Sequence, residues 1–164
     1  MRLVALSLFA VFLAGCSGGS GIQAFLVTPA DIPEDCRYAT EEDYQFFNEV
    51  RDDYGWATNP GRFDAGAAFD LEGDQEPQYA SLAILHCEEL GNVFSWVMAF
   101  ADGDIAATVA DVMADCGENW ESPTYVRGNI VGQFEVDDGV DGVEDHIAQR
   151  LANRLQLSHW CDLE

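Results

Sequence analysis

The side chains in this chain that could take part in chemistry are five cysteines, three histidines and 30 acidic residues. His86, His146 and His159 are not spaced as metal ligands usually are. His86-Cys87-Glu88 matches the start of a zinc-deaminase signature, but no PCxxC motif follows it. No glycine-rich phosphate loop follows a predicted strand, and no catalytic carboxylate pair stands out among the acids. We therefore predict no catalytic residue, no metal site and no cofactor, and a protein that is not an enzyme.

One acidic segment invites a calcium hypothesis. Asp70, Glu72, Asp74 and Glu76 alternate along it. An EF-hand loop needs glycine at its sixth position, and Gln75 occupies that position here. The segment is therefore interpreted as a solvated acidic loop.

Cys16 differs from the other cysteines because it follows a short apolar run and the small residues Ala14 and Gly15. The run, at roughly ten residues, is too short to cross a bilayer, which needs about 20. The pattern resembles a bacterial lipoprotein signal with its lipobox. This resemblance implies that residues 1–15 are removed and that the acylated Cys16 anchors the protein to the extracytoplasmic face of a membrane in the cell envelope. An ordinary secretory signal looks similar and remains the alternative.

Residues 16–21 would then form the lipidated cysteine and a Gly/Ser tether, and residues 22–164 a single domain. Five flexible residues span on the order of 12 Å, so the domain would sit close to the membrane.

The charge of the chain is strongly acidic. All seven basic residues are arginine, and the formal net charge is −23. Removing Arg2 with the signal leaves six arginines against 30 acidic residues. Such a balance argues against nucleic acid as a partner and against electrostatic adhesion to anionic lipids. It reflects either a saline habitat or GC-rich genome, or cation binding.

Assigning Cys16 to the lipid leaves an even set of cysteines: Cys36, Cys87, Cys116 and Cys161. In an oxidising compartment this set predicts two disulfides, with three possible connectivities.

Hydrophobic periodicity and turn residues predict an α+β fold: an antiparallel sheet with about three helices packed on it. The predicted elements are a strand or extended segment over residues 22–28, a helix over 40–55, a long loop over 56–76, a hairpin of 78–87 with 93–101, a helix capped by Asp102 or Asp104 and ending near Cys116, a hairpin over 124–136 turning at Gly128-Asn129, and a helix over 143–155.

Alternation along the predicted strands suggests which faces are buried. In the strand over 93–101 the bulky face is expected to carry the core. It comprises Phe94, Trp96, Met98 and Phe100. In the last strand, the face with Gln133 and Glu135 is expected to be the wetter one.

Several stretches together resemble a known family. They are residues 26–33 (LVTPADIP), the four spaced cysteines, a helix ending at Cys116, residues 127–131 (RGNIV) and an amphipathic C-terminal helix. The chain resembles small actinobacterial lipoproteins related to the extracellular sensor domain of some receptor Ser/Thr kinases. The resemblance implies an α+β fold with a cleft and the disulfides Cys36–Cys87 and Cys116–Cys161.

The favoured hypothesis is a lipid-anchored, non-catalytic binding or sensor-like domain. An unknown small ligand would enter between the sheet and the loop over 56–76, where Trp56, Arg62 and Phe63 are the expected contacts. The first alternative is an accessory protein that docks on another envelope protein through an exposed sheet face. The second is a small secreted hydrolase.

Overall fold

The computed structural model describes residues 21–43, 51–53, 55–56, 58–113, 122–137, 142–157 and 160–161. Within these ranges the chain forms a seven-stranded antiparallel sheet with helices on both faces, which confirms the α+β class. No helix in this part of the chain is long and apolar enough to cross a membrane.

The elements follow in chain order. The strands are β1 (Cys36–Tyr38), β2 (Gly61–Arg62), β3 (Tyr79–Cys87), β4 (Gly91–Ala99), β5 (Thr124–Arg127), β6 (Ile130–Val136) and β7 (Trp160–Cys161). The α-helices whose bounds lie within the described ranges are α1 (Ala65–Phe69), α2 (Gly103–Met113) and α3 (Val143–Leu155). The described residues also form three 3-10 helices, which span Ile22–Phe25, Pro29–Asp31 and Gly73–Gln75.

The sheet is organised around the β3–β4 hairpin. The strand order is β1-β3-β4-β6-β5-β7, and β2 also pairs with β3, on the same outer edge as β1. The hairpin pairs Tyr79 with Ala99 at one end and Cys87 with Gly91 at the other, which confirms the predicted hairpin. The predicted β5–β6 hairpin is also confirmed, with Gly128 in the turn at φ +62°.

One close approach inside the second hairpin requires glycine. Tyr125 on β5 is paired with Gly132 on β6. The Tyr125 ring occupies the space that a side chain at position 132 would need. A Cβ on Gly132 would lie 2.1 Å from Tyr125 Cζ. The Tyr125 hydroxyl in turn donates a hydrogen bond to the carbonyl oxygen of Phe25. Burial raises the pKa of Tyr125 above its ordinary value, because the phenolate would be desolvated.

The first face of the sheet is covered by α3 and the N-terminal 3-10 helices. Ile147, Leu151 and Leu155 of α3 are buried in this layer, as the apolar repeat predicts. The N–H of Val27 donates to Ser95 Oγ at 2.9 Å, which ties the N-terminal segment to β4.

The prediction of a strand or extended segment at the N-terminus is wrong for Ile22–Phe25, which is a 3-10 helix. A second 3-10 turn follows, because Thr28 and Asp31 form a capping box around Pro29. The Asp31 carboxylate accepts from the Thr28 N–H at 2.9 Å. These local hydrogen bonds satisfy backbone groups that would otherwise pair with a neighbouring strand.

The second face is covered by α1, α2 and the segment that carries Trp56. Asp102 caps α2 by accepting from the Ile105 N–H at 2.9 Å, as predicted, and Val109 is buried. Both faces of β4 therefore lie in a core. This layer also buries Gln133, whose Oε1 accepts from Trp96 Nε1 at 3.1 Å.

Two predictions about burial are thus corrected. The core does not lie on the bulky face of β4 alone, because α3 covers the opposite face as well. The Gln133 side of β6 is not wet throughout, because Gln133 is buried while Glu135 is exposed. Strand alternation shows which side chains share a face, but the layers above each face depend on distant parts of the chain.

The segment over residues 56–76 is not one continuous loop. It contains β2, the short helix α1, capped by Asp64, and the 3-10 turn Gly73–Gln75. Of the helix predicted over 40–55, residues 51–53 are helical. Gly55 has φ +65°, which suits the position after a helix. Residues 44–50 lie outside the described part.

Candidate functional site

The segment after Gly55 is fastened to the outer edge of β3 by one side-chain amide. Asn59 Nδ2 donates to the carbonyl oxygens of Ala39 and Ile84, at 2.8 and 2.7 Å. Its Oδ1 accepts from the Ile84 N–H at 3.0 Å. β1 pairs with β3 only as far as Leu85, and β2 begins pairing at Leu82. Asn59 therefore satisfies the backbone groups in the gap between the two short strands.

β2 then sets the position of Arg62. Ser81 Oγ donates to the Gly61 carbonyl oxygen at 2.9 Å. A Cβ on Gly61 would lie 2.0 Å from the Thr58 carbonyl oxygen, so the close turn requires glycine. Arg62 lies opposite Ser81, which makes Tyr79, two residues earlier on β3, its diagonal neighbour.

Arg62 and Tyr79 line a cleft of about 320 Å³. The guanidinium carbon of Arg62 lies 5.7 Å from the centroid of the Tyr79 ring, which is within cation–π range. Tyr79 is 39% exposed, and among the described residues it is the only large hydrophobic side chain that is exposed. Among the described residues, the lining comprises Gly55, Arg62, Phe63, Asp64, Ala65, Gly66, Glu76, Pro77, Gln78, Tyr79 and Ala80. The volume lies at the small end of the range for ligand pockets.

The cleft also carries two acids, which belong to the side of α1. Asp64 Oδ1 accepts from the Ala67 N–H at 3.2 Å and caps that helix. Glu76 is exposed, and its Cγ lies near Gly66 of that helix, 3.6 Å from the place where a Cβ would be. Within the described residues, neither acid lies within ion-pair distance of Arg62. The cleft therefore offers a cation and an aromatic face beside two separate carboxylates.

Two of the three expected ligand contacts line this cleft. They are Arg62 and Phe63. Trp56 is fully buried in the core layer of the second face and is absent from the lining. Trp56 therefore anchors the segment that carries Arg62 to the core.

Sequence reasoning missed Tyr79, Asp64 and Glu76 as neighbours of Arg62. Tyr79 is the second residue of the strand predicted over 78–87, and an aromatic side chain near the start of a strand could have marked it as a candidate binding residue. Its pairing with the segment that carries Arg62 depends on the β2–β3 register, however, and no local pattern encodes that register.

No three of the alternating acids Asp70, Glu72, Asp74 and Glu76 lie close enough together to share a metal ion. Within the described ranges, the only group of three side chains placed to share a metal ion comprises Glu34, Cys36 and Cys87. Both sulfurs of that group are bonded to each other, so they are not free thiolates. Glu34 is already engaged, since its Oε1 accepts from the Leu90 N–H at 3.2 Å.

The disulfide Cys36–Cys87 joins two directly opposite residues of β1 and β3, with a Cα–Cα distance of 4.4 Å. This confirms one of the two pairings implied by the family resemblance. The other pairing is not tested, because Cys116 and the side chain of Cys161 lie outside the described part. The same holds for Cys16.

Neither of the two described histidines, His86 and His146, lines the cleft. His86 Nδ1 is 3.4 Å from Asn92 Oδ1, and His146 Nε2 accepts from Arg150 Nε at 3.1 Å. His159 lies outside the described residues. Among the described residues the lining contains no serine, cysteine or histidine, so none of them supplies a Ser–His or Cys–His pair to this cleft.

No protein-family model matches the chain, and no curated protein or solved structure matches it either. The likeness to kinase sensor domains therefore stays a prediction that depends on the sequence motifs alone.

Proposed function

We propose that this protein is a lipid-anchored extracytoplasmic binding protein that takes a small ligand into the Arg62–Tyr79 cleft and does not transform it. The observation that supports this most directly is the exposed Tyr79 ring beside Arg62 in a concave site. An exposed aromatic face with a few polar groups around it is a common way to orient a small molecule.

The alternative, docking on another envelope protein, has less support. Tyr79 is a single exposed aromatic side chain among the described residues, whereas a docking surface usually presents a contiguous apolar patch of several hundred Å². A lone ring in a cleft of this size suits a small ligand better.

Binding is tested by a thermal-shift screen of the purified protein with its disulfides intact, against cell-wall sugars, lipids and calcium at fixed ionic strength. A ligand at 100 times its dissociation constant should stabilise the protein by about 2.7 kcal/mol. The variant Tyr79→Ala should lose most of that shift while unfolding at an unchanged temperature without ligand. Glu72→Gln, an exposed acid outside the lining, is the control. If Tyr79→Ala kept the full shift for every ligand found, the cleft would not be the site.

The same screen addresses the acidity. If bulk salt alone moves the unfolding midpoint, the acidity is an adaptation to the habitat, and the search turns to protein partners. If calcium shifts the midpoint at fixed ionic strength, the acids bind cations.

Anchoring is tested separately, by fractionating cells that express the full chain. Cys16→Ser should abolish labelling by a fatty-acid analogue and move the protein out of the membrane fraction. Ser17→Ala should leave both unchanged. A Cys16→Ser protein that stayed in the membrane fraction would contradict the proposed lipid anchor.

A further inference from the structure

The arginines of the mature chain are few, and half of those in the domain are paired with carboxylates. Ion pairs engage three of them: Arg37 with Asp43, Arg51 with Glu41 and Arg154 with Asp31. Arg150 donates to His146 and to the Ala30 carbonyl oxygen. The remaining two, Arg62 and Arg127, lie over aromatic rings, and within the described residues neither has a carboxylate within 4.0 Å.

Arg62 lacks an acidic partner although two carboxylates line the same cleft. Asp64 is turned towards the start of α1 by its bond from the Ala67 N–H. The Cγ of the exposed Glu76 lies near Gly66 of α1. The Arg62 guanidinium itself lies over the Tyr79 ring. Among the described residues no carboxylate lies within 4.0 Å of Arg62, so its guanidinium donors are available to a ligand.

We propose that the ligand of this cleft carries a carboxylate, which Arg62 binds, next to a ring that lies on Tyr79. The chemical class is a small sugar acid, whose hydroxyl groups can donate to the carboxylates of Asp64 and Glu76. The inference rests on the proposed function, because it names the ligand class of the same cleft.

Two physical arguments select a carboxylate. Arg62 is the only cation among the described residues that line the cleft, and its planar guanidinium matches a carboxylate in two parallel hydrogen bonds. The surrounding protein is strongly acidic, so a phosphate dianion would meet about twice the electrostatic repulsion of a monoanion. Arg62 can pair with the single charge of a carboxylate, whereas a phosphate dianion would leave a second negative charge unpaired beside Asp64 and Glu76.

The test uses four probes at matched ionic strength: N-acetylmuramic acid, glucuronate, N-acetylglucosamine and N-acetylglucosamine 6-phosphate. N-acetylmuramic acid differs from N-acetylglucosamine by a lactyl group that carries the carboxylate, so this pair isolates its contribution. Affinities are measured by calorimetry on the full protein. We expect the two acids to bind, and the neutral and phosphorylated sugars to bind far more weakly.

Variants assign the effect to Arg62. Arg62→Gln should weaken binding of the acids by about 10- to 100-fold, since hydrogen bonds to a charged group are lost. Arg62→Lys keeps the positive charge but lacks the paired, planar donors of the guanidinium, so it should give an intermediate loss of affinity. Arg127→Gln is the matched control, because Arg127 also lies 5.7 Å from a ring, that of Phe25, and does not line this cleft. It should bind like the wild type.

The outcomes separate this inference from the function on which it rests. Equal binding of neutral and acidic sugars, unaffected by Arg62→Gln but lost in Tyr79→Ala, would overturn the carboxylate assignment and leave the binding function standing. Preference for the phosphorylated sugar would also overturn the assignment. Failure of every probe here, and of every ligand in the wider screen, would overturn both. The unfolding temperature of each unliganded variant shows whether a loss reflects misfolding instead.

Discussion

Replacing Arg154 with glutamine should loosen the N-terminal segment from the domain. Arg154 lies on α3 and holds Asp31 through two bonds, from Nε to Oδ1 at 3.0 Å and from Nη2 to Oδ2 at 2.9 Å. It also donates to the carbonyl oxygens of Ala24 and Leu26. One side chain thus joins the last helix to both N-terminal 3-10 helices.

The size of the effect follows from the burial of Asp31, which is 3% exposed. Removing one partner of a buried ion pair costs about 3–5 kcal/mol, because the other charge stays behind unpaired. Two features reduce this cost. Thr28 still donates to the Asp31 carboxylate from its N–H and its hydroxyl, and the Arg154 side chain is 33% exposed, so water can reach the vacated site. We therefore expect a loss of about 2–3 kcal/mol, a large part of a typical domain stability.

The assay is urea unfolding at neutral pH, followed by tryptophan fluorescence, together with amide hydrogen exchange. Exchange should accelerate over Ile22–Phe25 and Pro29–Asp31 more than in β3 and β4. Arg150→Gln is the control, because Arg150 lies on the same helix, is exposed and donates to a single backbone carbonyl. It should cost no more than about 1 kcal/mol.

A second variant tests whether the buried charge is the cause. Asp31→Asn in the Arg154→Gln background removes that charge, so the two changes should cost less together than the sum of the two alone. The reasoning is refuted if Arg154→Gln costs no more than Arg150→Gln, or if the two substitutions are additive.

Three further predictions concern the edge of β3, the second hairpin and a surface turn. Asn59→Asp should cost about 2–4 kcal/mol in urea unfolding, because it removes two donors and places a carboxylate beside two carbonyl oxygens. Gly132→Ala should cost about 1–3 kcal/mol, because the new methyl group collides with the Tyr125 ring. Asp43→Asn tests pH dependence. Hydrogen bonds from Arg37 and from the N–H and hydroxyl of Thr40 hold the pKa of Asp43 well below its usual 3.8. Its contribution is therefore present above about pH 4, so the stability difference between wild type and Asp43→Asn should shrink as the pH falls below that value.

Each of these predictions has a comparison that could contradict it. Asn153→Asp makes the same chemical change on the exposed side of α3, and an equal loss there would remove the argument for Asn59. Gly66→Ala adds a methyl group whose nearest neighbours would lie at ordinary van der Waals distances. Unlike Gly132→Ala, it should leave the free energy of unfolding unchanged or raise it slightly. A difference between wild type and Asp43→Asn that stayed constant down to acid pH would contradict the lowered pKa.

Patterns within about a dozen residues were enough to predict much of the fold. The apolar repeat over Val143–Leu155 and the cap at Asp102 depend on neighbouring residues only, and both are confirmed. The turn at Gly128 likewise follows from its own backbone preference. Such features are set by the local conformation of the chain and change little with tertiary context.

The candidate site was predicted only in part. The segment after Trp56 was expected to matter because of its length and turn residues, and Arg62 and Phe63 do line the cleft. The exposed partner of Arg62 is Tyr79, and the expected partner Trp56 is buried. Which aromatic side chain faces solvent depends on how the segment pairs with β3, and that register is a property of the folded sheet.

The sequence by itself determined the class of the fold, its two hairpins, the last helix and the strongly acidic charge. Only the tertiary structure decided that both faces of β4 are buried, that Asn59 closes the edge of β3, and that Arg62 lies on Tyr79 without an acidic partner in the described part of the chain. The reason is physical. Local propensity and periodicity act between residues a few positions apart, whereas burial, register and charge pairing are settled by contacts between residues that the chain brings together from a distance.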